Sequence, residues 1–125
     1  MSGRGFSILG RLKSFRYALA GLLFVLRTQH NAWLHLIATL GVAGAAVALR
    51  VEPRDWLWLI AAVAVVWVAE ITNTAFEHLC DVVSPELHSS VQRAKDVAAA
   101  AVLVAAIAAA IIGGIVFWPY LAGVA

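Results

Sequence analysis

Three acids and an amide recur in the apolar stretch from Trp56 onward: Glu70, Asn73, Glu77 and Asp81. At about 100° per residue they fall within a sector of roughly 80° on one helix face. Three acids and an amide over three turns, bordered by Thr74, form a row of oxygen donors. A carboxylate near the centre of a membrane helix costs roughly 2.5–3.5 kcal/mol on insertion scales, and such acids carry function by default. The plainer alternative is a solvated helix end plus one buried, hydrogen-bonded Glu70. A second polar group follows at His88, Gln92, Lys95 and Asp96. If residues 86–96 are helical, the first three share a face. Carboxylates hold Mg²⁺ together with substrate phosphates. A lysine neutralises phosphate charge, and a further carboxylate takes the proton of an attacking hydroxyl. The chain has no GxxxxGK[ST] loop. Spacing and charge therefore lead to a metal, phosphate or ion site at a membrane face.

The elements that must position these residues are written in the composition. Hydrophobic residues make up 63% of the 125 positions and charged residues 13%, and mean hydropathy is +0.91. A small soluble domain buries too small a fraction of its surface to hide that much apolar area. The expected class is an all-α membrane protein. Three apolar runs, about 32–49, 56–76 and 97–118, each approach the roughly 20 residues that cross a hydrocarbon core. Lipid satisfies no backbone polar group, so each is expected to be helical. The expected connector over 77–96 is polar and broken at Pro85, with Ser84 as N-cap and Pro85 opening a new helix.

Residues 6–27 are expected to form an amphipathic helix on the membrane surface. Lys13 and Arg16 share a face, while Phe15, Leu19, Leu22 and Leu26 follow a helical apolar period. No small-x-small cleavage site follows, which argues against a signal peptide. Arg4, Arg11, Lys13, Arg16, Arg27, Arg93 and Lys95 lie on one side of the spans, against Arg50 and Arg54 on the other. The positive-inside rule then places the N-terminus and long connector in the cytoplasm of a multi-pass protein. Few basic residues and no interleaved aromatics argue against nucleic acid. The single Cys80 excludes an intrachain disulfide and is expected to pack. Small-residue ridges, such as Ala101, Ala105, Ala109 and Gly113, permit close helix approach. Three thin helices make a meagre bundle, so an oligomer is expected.

The stretch AEITNTAFEHLCD, followed by ELHSSVQRAKDVAAAAVLV, resembles the small prokaryotic lipid kinases of the diacylglycerol kinase and undecaprenol kinase family. The shared pattern is E-x-x-N-[ST]-A-x-E-x-x-x-D, then H, then A-K-D-x-x-x-A-A-V-L. It extends from about Phe15, through Tyr17, Ala18 and Gly21, to Pro119. The resemblance implies a homotrimer in the bacterial inner membrane, with active sites near the cytoplasmic face that use residues of neighbouring subunits. It implies transfer of phosphate from ATP, with Mg²⁺, to a lipid primary alcohol. By motif position Glu70 is the base toward the lipid hydroxyl and Asn73 orients that site. Glu77 binds the Mg²⁺ of MgATP. Lys95 and Asp96 engage the nucleotide, with Glu86 and His88 lining it and Tyr17 near its base. The NTA-x-E form and the GG-I-V-F-W-P ending look closer to the undecaprenol kinase branch.

One departure stands out. The family pattern E-x-N-x-x-x-H before the first span matches at Asn31 and His35, but Gln29 occupies the glutamate position. A neutral amide is a poorer Mg²⁺ ligand than a carboxylate, and His30 beside it is an unsuitable nitrogen substitute. A second metal position at Gln29 is therefore weakened, and weaker Mg²⁺ dependence or lower turnover is expected. Two other classes compete: a small ion- or proton-coupled transporter using Glu70, and a catalytically impaired family member. His30, His35 and His78 are expected to pack or hydrogen-bond at interfaces, since a five-residue separation does not suit a helical metal pair.

Overall fold

Where no water reaches the backbone, its amides and carbonyls must bond within the chain, and four helices meet that demand. The computed structural model describes residues 5–86 and 88–125. Its elements are α1 (Ile8–Thr28), α2 (His30–Ala48), α3 (Pro53–Val83) and α4 (Ser89–Leu121). Among the described residues all regular structure is helical. Three of the helices, α2, α3 and α4, are long and apolar enough to cross a membrane.

The helix ends follow local chemistry. Ser7 caps α1 by accepting a hydrogen bond from the Gly10 amide at 3.2 Å. Gln29 alone separates α1 from α2, with an extended backbone at φ −108° and ψ 117°. The end of α2 is a Schellman motif. The Val51 amide donates to Ala46 O at 3.0 Å and the Arg50 amide to Val47 O at 3.2 Å. Arg50 sits in the left-handed region at φ 53°, where glycine is the usual occupant. Val51 and Ala46 are both buried, supplying the apolar contact that accompanies such ends. Pro53 then opens α3 at a first-turn position that needs no amide proton.

The turn after α3 differs from expectation. Residues 77–83 are helical and belong to α3, so the connector shrinks to residues 84–88. Ser84 is the C-cap of α3, its amide donating to Cys80 O at 2.9 Å, and does not cap α4. His88 performs that role: its Nδ1 accepts from the Ser90 amide at 3.2 Å. The reason is that leaving lipid and ending a helix are separate events. The polarity of 77–83 marks only the first.

α3 and α4 form an antiparallel hairpin and the principal packing of the chain, while α2 leans more sparsely on α3. α1 meets the others near its C-terminal end, where Val25 is buried and Phe24 packs edge-on to His78 at 5.1 Å. The hairpin is fastened at its far end. Tyr120 donates to Asp55 Oδ2 at 2.7 Å and accepts from the Glu52 amide at 3.0 Å. Buried Ala46, Val51, Leu59 and Val116 form the core beside this clasp. The opposite end of the hairpin carries the polar residues.

Candidate active site

The predicted stripe lies on one face of α3, and its burial is graded. Glu70 is 1% exposed and Asn73 9%, Glu77 is half-buried and Asp81 exposed. Thr74, also buried, donates to Glu70 O at 2.9 Å, an ordinary back-bond within the helix. The structure pairs these residues as three successive couples.

The deepest couple joins two helices. His35 Nε2 on α2 lies 3.2 Å from Glu70 Oε2 on α3. The histidine ring is held in place by its neighbours. Trp67 packs edge-on to it, with centroids 6.2 Å apart and planes at 65°. Trp67 Nε1 donates to Thr39 Oγ1 at 2.9 Å, and Thr39 in turn donates to His35 O at 2.7 Å. His35 was expected only to pack or bond at an interface. It meets the candidate base itself, and the signal available in the sequence was a histidine inside an apolar span.

The second couple is Asn73 and Glu77, one turn apart: Asn73 Nδ2 donates to Glu77 Oε1 at 3.2 Å. Asn73 Oδ1 is buried with no hydrogen-bond partner among the described residues. Buried polar atoms are rarely left so, and those that are call for a ligand, an ion or water. An orphaned amide oxygen beside a carboxylate is a hard-oxygen donor pair, the kind Mg²⁺ takes. The residues present thus fit a magnesium ion as part of its ligand shell. Among the described residues no three His, Cys, Asp or Glu side chains converge as a complete set.

The third couple closes the hairpin. Lys95 Nζ on α4 donates to Asp81 Oδ1 at 2.8 Å. A helix of 31 residues is about 46 Å long against a hydrocarbon core of about 30 Å, so these terminal turns project beyond the apolar stretch. The Lys95 hydrogen bond, followed by its charge, holds the Asp81 carboxyl below its ordinary value of 3.8. The same hydrogen bond raises Lys95 above 10.5. The sequence places Asp81 in the stripe but does not show Lys95 as its partner, because the turn at 84–88 brings the two together.

A cavity of about 70 Å³ opens beside this pair, lined by Asp81, Glu86, His88, Gln92 and Lys95 with Ser84, Pro85 and Val91. His88, Gln92 and Lys95 thus line one cavity, but not as a helix face over 86–96, because the helix starts at Ser89 and Glu86 and His88 precede it. Gln92 Nε2 donates to Asp96 Oδ1 at 3.0 Å. Two expected site residues stand apart. Tyr17 is 72% exposed on α1. The Gln29 side chain donates to its neighbour Thr28 at 3.4 Å and reaches none of the stripe. Its helix end nevertheless lies beside the turn of α3 that follows Glu77, through the Phe24–His78 contact.

Comparison with known proteins supplies the context for this geometry. A diacylglycerol kinase of Synechocystis sp. is 40% identical over 109 residues, covering 86% of this chain and 62% of that protein. The chain thus spans less than two thirds of that relative's length. An undecaprenol kinase of Bacillus subtilis is 32% identical over 109 residues, covering 87% of this chain and 89% of that protein. The family model for prokaryotic diacylglycerol kinase matches residues 16–117, which include all three couples of the stripe. The chain belongs to the prokaryotic diacylglycerol kinase family.

Proposed function

We propose that the protein transfers the γ-phosphate of ATP to the primary hydroxyl of a membrane lipid, of the diacylglycerol or undecaprenol class. The observation that carries the reading is the graded stripe: a buried carboxylate at depth, oxygen donors one to two turns above it, and a lysine at the mouth. A lipid alcohol presents its hydroxyl from the apolar side, whereas a nucleotide arrives from water. The two reactants meet along one face of α3. Both relatives are named as lipid kinases, which disfavours the transporter reading. Their names divide between the two acceptors, so either alcohol is a substrate to test.

Glu70 is the general base. It takes the acceptor's proton as the acceptor oxygen attacks the γ-phosphorus and ADP leaves. Burial of Glu70 keeps water from competing for the same phosphate. Asn73 and Glu77 hold the metal of MgATP, with Gln29 at the weakened second position. A metal held there would offset negative charge on the nucleotide's phosphates. Lys95 and Asp96 engage the nucleotide, Glu86 and His88 line it, and Tyr17 lies near its base.

The working unit is a homotrimer whose sites take residues from neighbouring chains. Support comes from the incomplete donor set of one chain and from apolar side chains left exposed on α4, such as Leu103, Ile107 and Ile111. α1 lies on the cytoplasmic surface of the inner membrane, with its basic residues toward the headgroups. Phosphate transfer from labelled ATP in lipid, offered diacylglycerol and undecaprenol separately, tests the reading. Transfer to one alcohol that disappears in Glu70→Gln is expected. Absence of transfer to either by folded protein would sink it.

A further inference from the structure

The network buried between α2 and α3 involves a residue outside the catalytic set named above. We infer that His35 is a positioning residue: its Nε2–H holds Oε2 of Glu70 and leaves Oε1 as the oxygen that receives the acceptor's proton. This rests on the kinase reading of Glu70.

Three observations converge on it. The His35 and Glu70 side chains are 17% and 2% exposed, so their 3.2 Å contact is shielded from competing water. The imidazole plane is set from both helices, by the Trp67 ring and by the Thr39 hydroxyl that ties Trp67 to the His35 backbone. A neutral imidazole donates from one nitrogen only. Donation from Nε2 therefore fixes the tautomer as well as the direction of the bond.

A carboxylate attached to a flexible side chain needs such a hold. Glutamate has three side-chain torsions, and a misplacement of about 1 Å in a reacting group costs about 100-fold in rate. With Oε2 held, Oε1 is fixed relative to α3 and faces the acceptor hydroxyl. In the transfer, the acceptor O–H bond breaks and its proton goes to Glu70 Oε1. The acceptor oxygen forms the new bond to the γ-phosphorus. The bond from that phosphorus to the bridging oxygen breaks, releasing ADP. His35 keeps its proton throughout, so it orients the base without exchanging with the substrate.

The test compares His35→Leu with His35→Gln in purified protein in lipid, with thermal unfolding of each variant followed in parallel. The glutamine side-chain amide reaches the position of the imidazole Nε2 and carries a proton there. His35→Leu is expected to lower kcat about 100-fold, with KM for ATP and for the lipid within about threefold of the parent. His35→Gln is expected to restore most of the loss. A folded His35→Leu with unchanged kcat, or a folded His35→Gln as impaired as the leucine variant, overturns the inference. The second readout is ¹⁵N NMR of labelled histidine in the full chain. A single Nε2-protonated tautomer for His35 that is lost in Glu70→Gln supports the pairing; resonances indifferent to that substitution refute it. If the parent protein transfers no phosphate at all, the kinase reading has failed, and the His35–Glu70 pairing is decided by the NMR result alone.

Discussion

Exposure rises along the stripe from Glu70 through Asn73 and Glu77 to Asp81, and the chemistry changes with it. A base shielded from water suits proton abstraction from a lipid hydroxyl. A half-buried acid beside an orphaned amide oxygen suits a cation. An exposed acid suits a lysine. Gln29, expected to stand where the resemblance places a metal-binding glutamate, belongs to the same scale. Gln29→Glu adds a charged oxygen ligand. It is expected to lower the Mg²⁺ concentration for half-maximal transfer by about tenfold or to raise turnover by a similar factor. Magnesium titrations of parent and variant read this directly, and identical curves and rates would remove Gln29 from the metal site. The stripe itself was legible in the sequence because a 3.6-residue period places Glu70, Asn73, Glu77 and Asp81 on one face without tertiary information. The partners were not. His35 stands 35 positions from Glu70, and no spacing rule within one helix reaches that far.

At the level of elements, two connections set the helices at their angles. The α2–α3 turn places Arg50 in a left-handed conformation that costs a non-glycine residue about 1–2 kcal/mol. Glycine relieves that strain but loses more freedom on folding. The net expectation for Arg50→Gly is a gain of about 0.5 kcal/mol, measured by unfolding in detergent; a loss of stability would show that the Arg50 side chain contributes more than its backbone costs. The α3–α4 turn depends on Asp81 and Lys95. Asp81 is held below 3.8, so its contribution is present above that value and fades as pH falls through the lowered one. Lys95 is raised above 10.5, so its contribution is present below that value and fades as pH rises through the raised one. Thermal unfolding against pH should show an acid-side decline that is smaller in Asp81→Asn. Equal declines would place the acid sensitivity elsewhere. The helical nature of the spans was legible from hydropathy, whereas the end of α3 was not. Glu77, His78 and Asp81 read as a connector because polarity reports the solvent around a helix, not the state of its hydrogen bonds.

Taken whole, one chain is an unfinished object. α2 has sparse packing, and large apolar residues such as Leu34, Ile37 and Leu40 remain exposed along it. Lipid covers part of such a surface, and small-residue ridges invite further helices. Native mass spectrometry in detergent is expected to give three copies per particle. A monomeric, fully active particle would refute that expectation. The two ends of the hairpin also differ in how they are tied. Far from the stripe, Tyr120 clasps Asp55 and Glu52 over a packed core. At the other end the chain itself turns at 84–88, and an ion pair with side chains 29% and 63% exposed braces that turn. Surface pairs of this kind weaken as salt shortens the screening length to about 8 Å and below. The α3–α4 hairpin is thus joined by the chain at the end that carries the stripe, where a charge only braces the turn, and by hydrogen bonds alone at the clasp. Ionic strength becomes a handle on how firmly that turn is held, while the His35–Glu70 pair buried between α2 and α3 is left undisturbed.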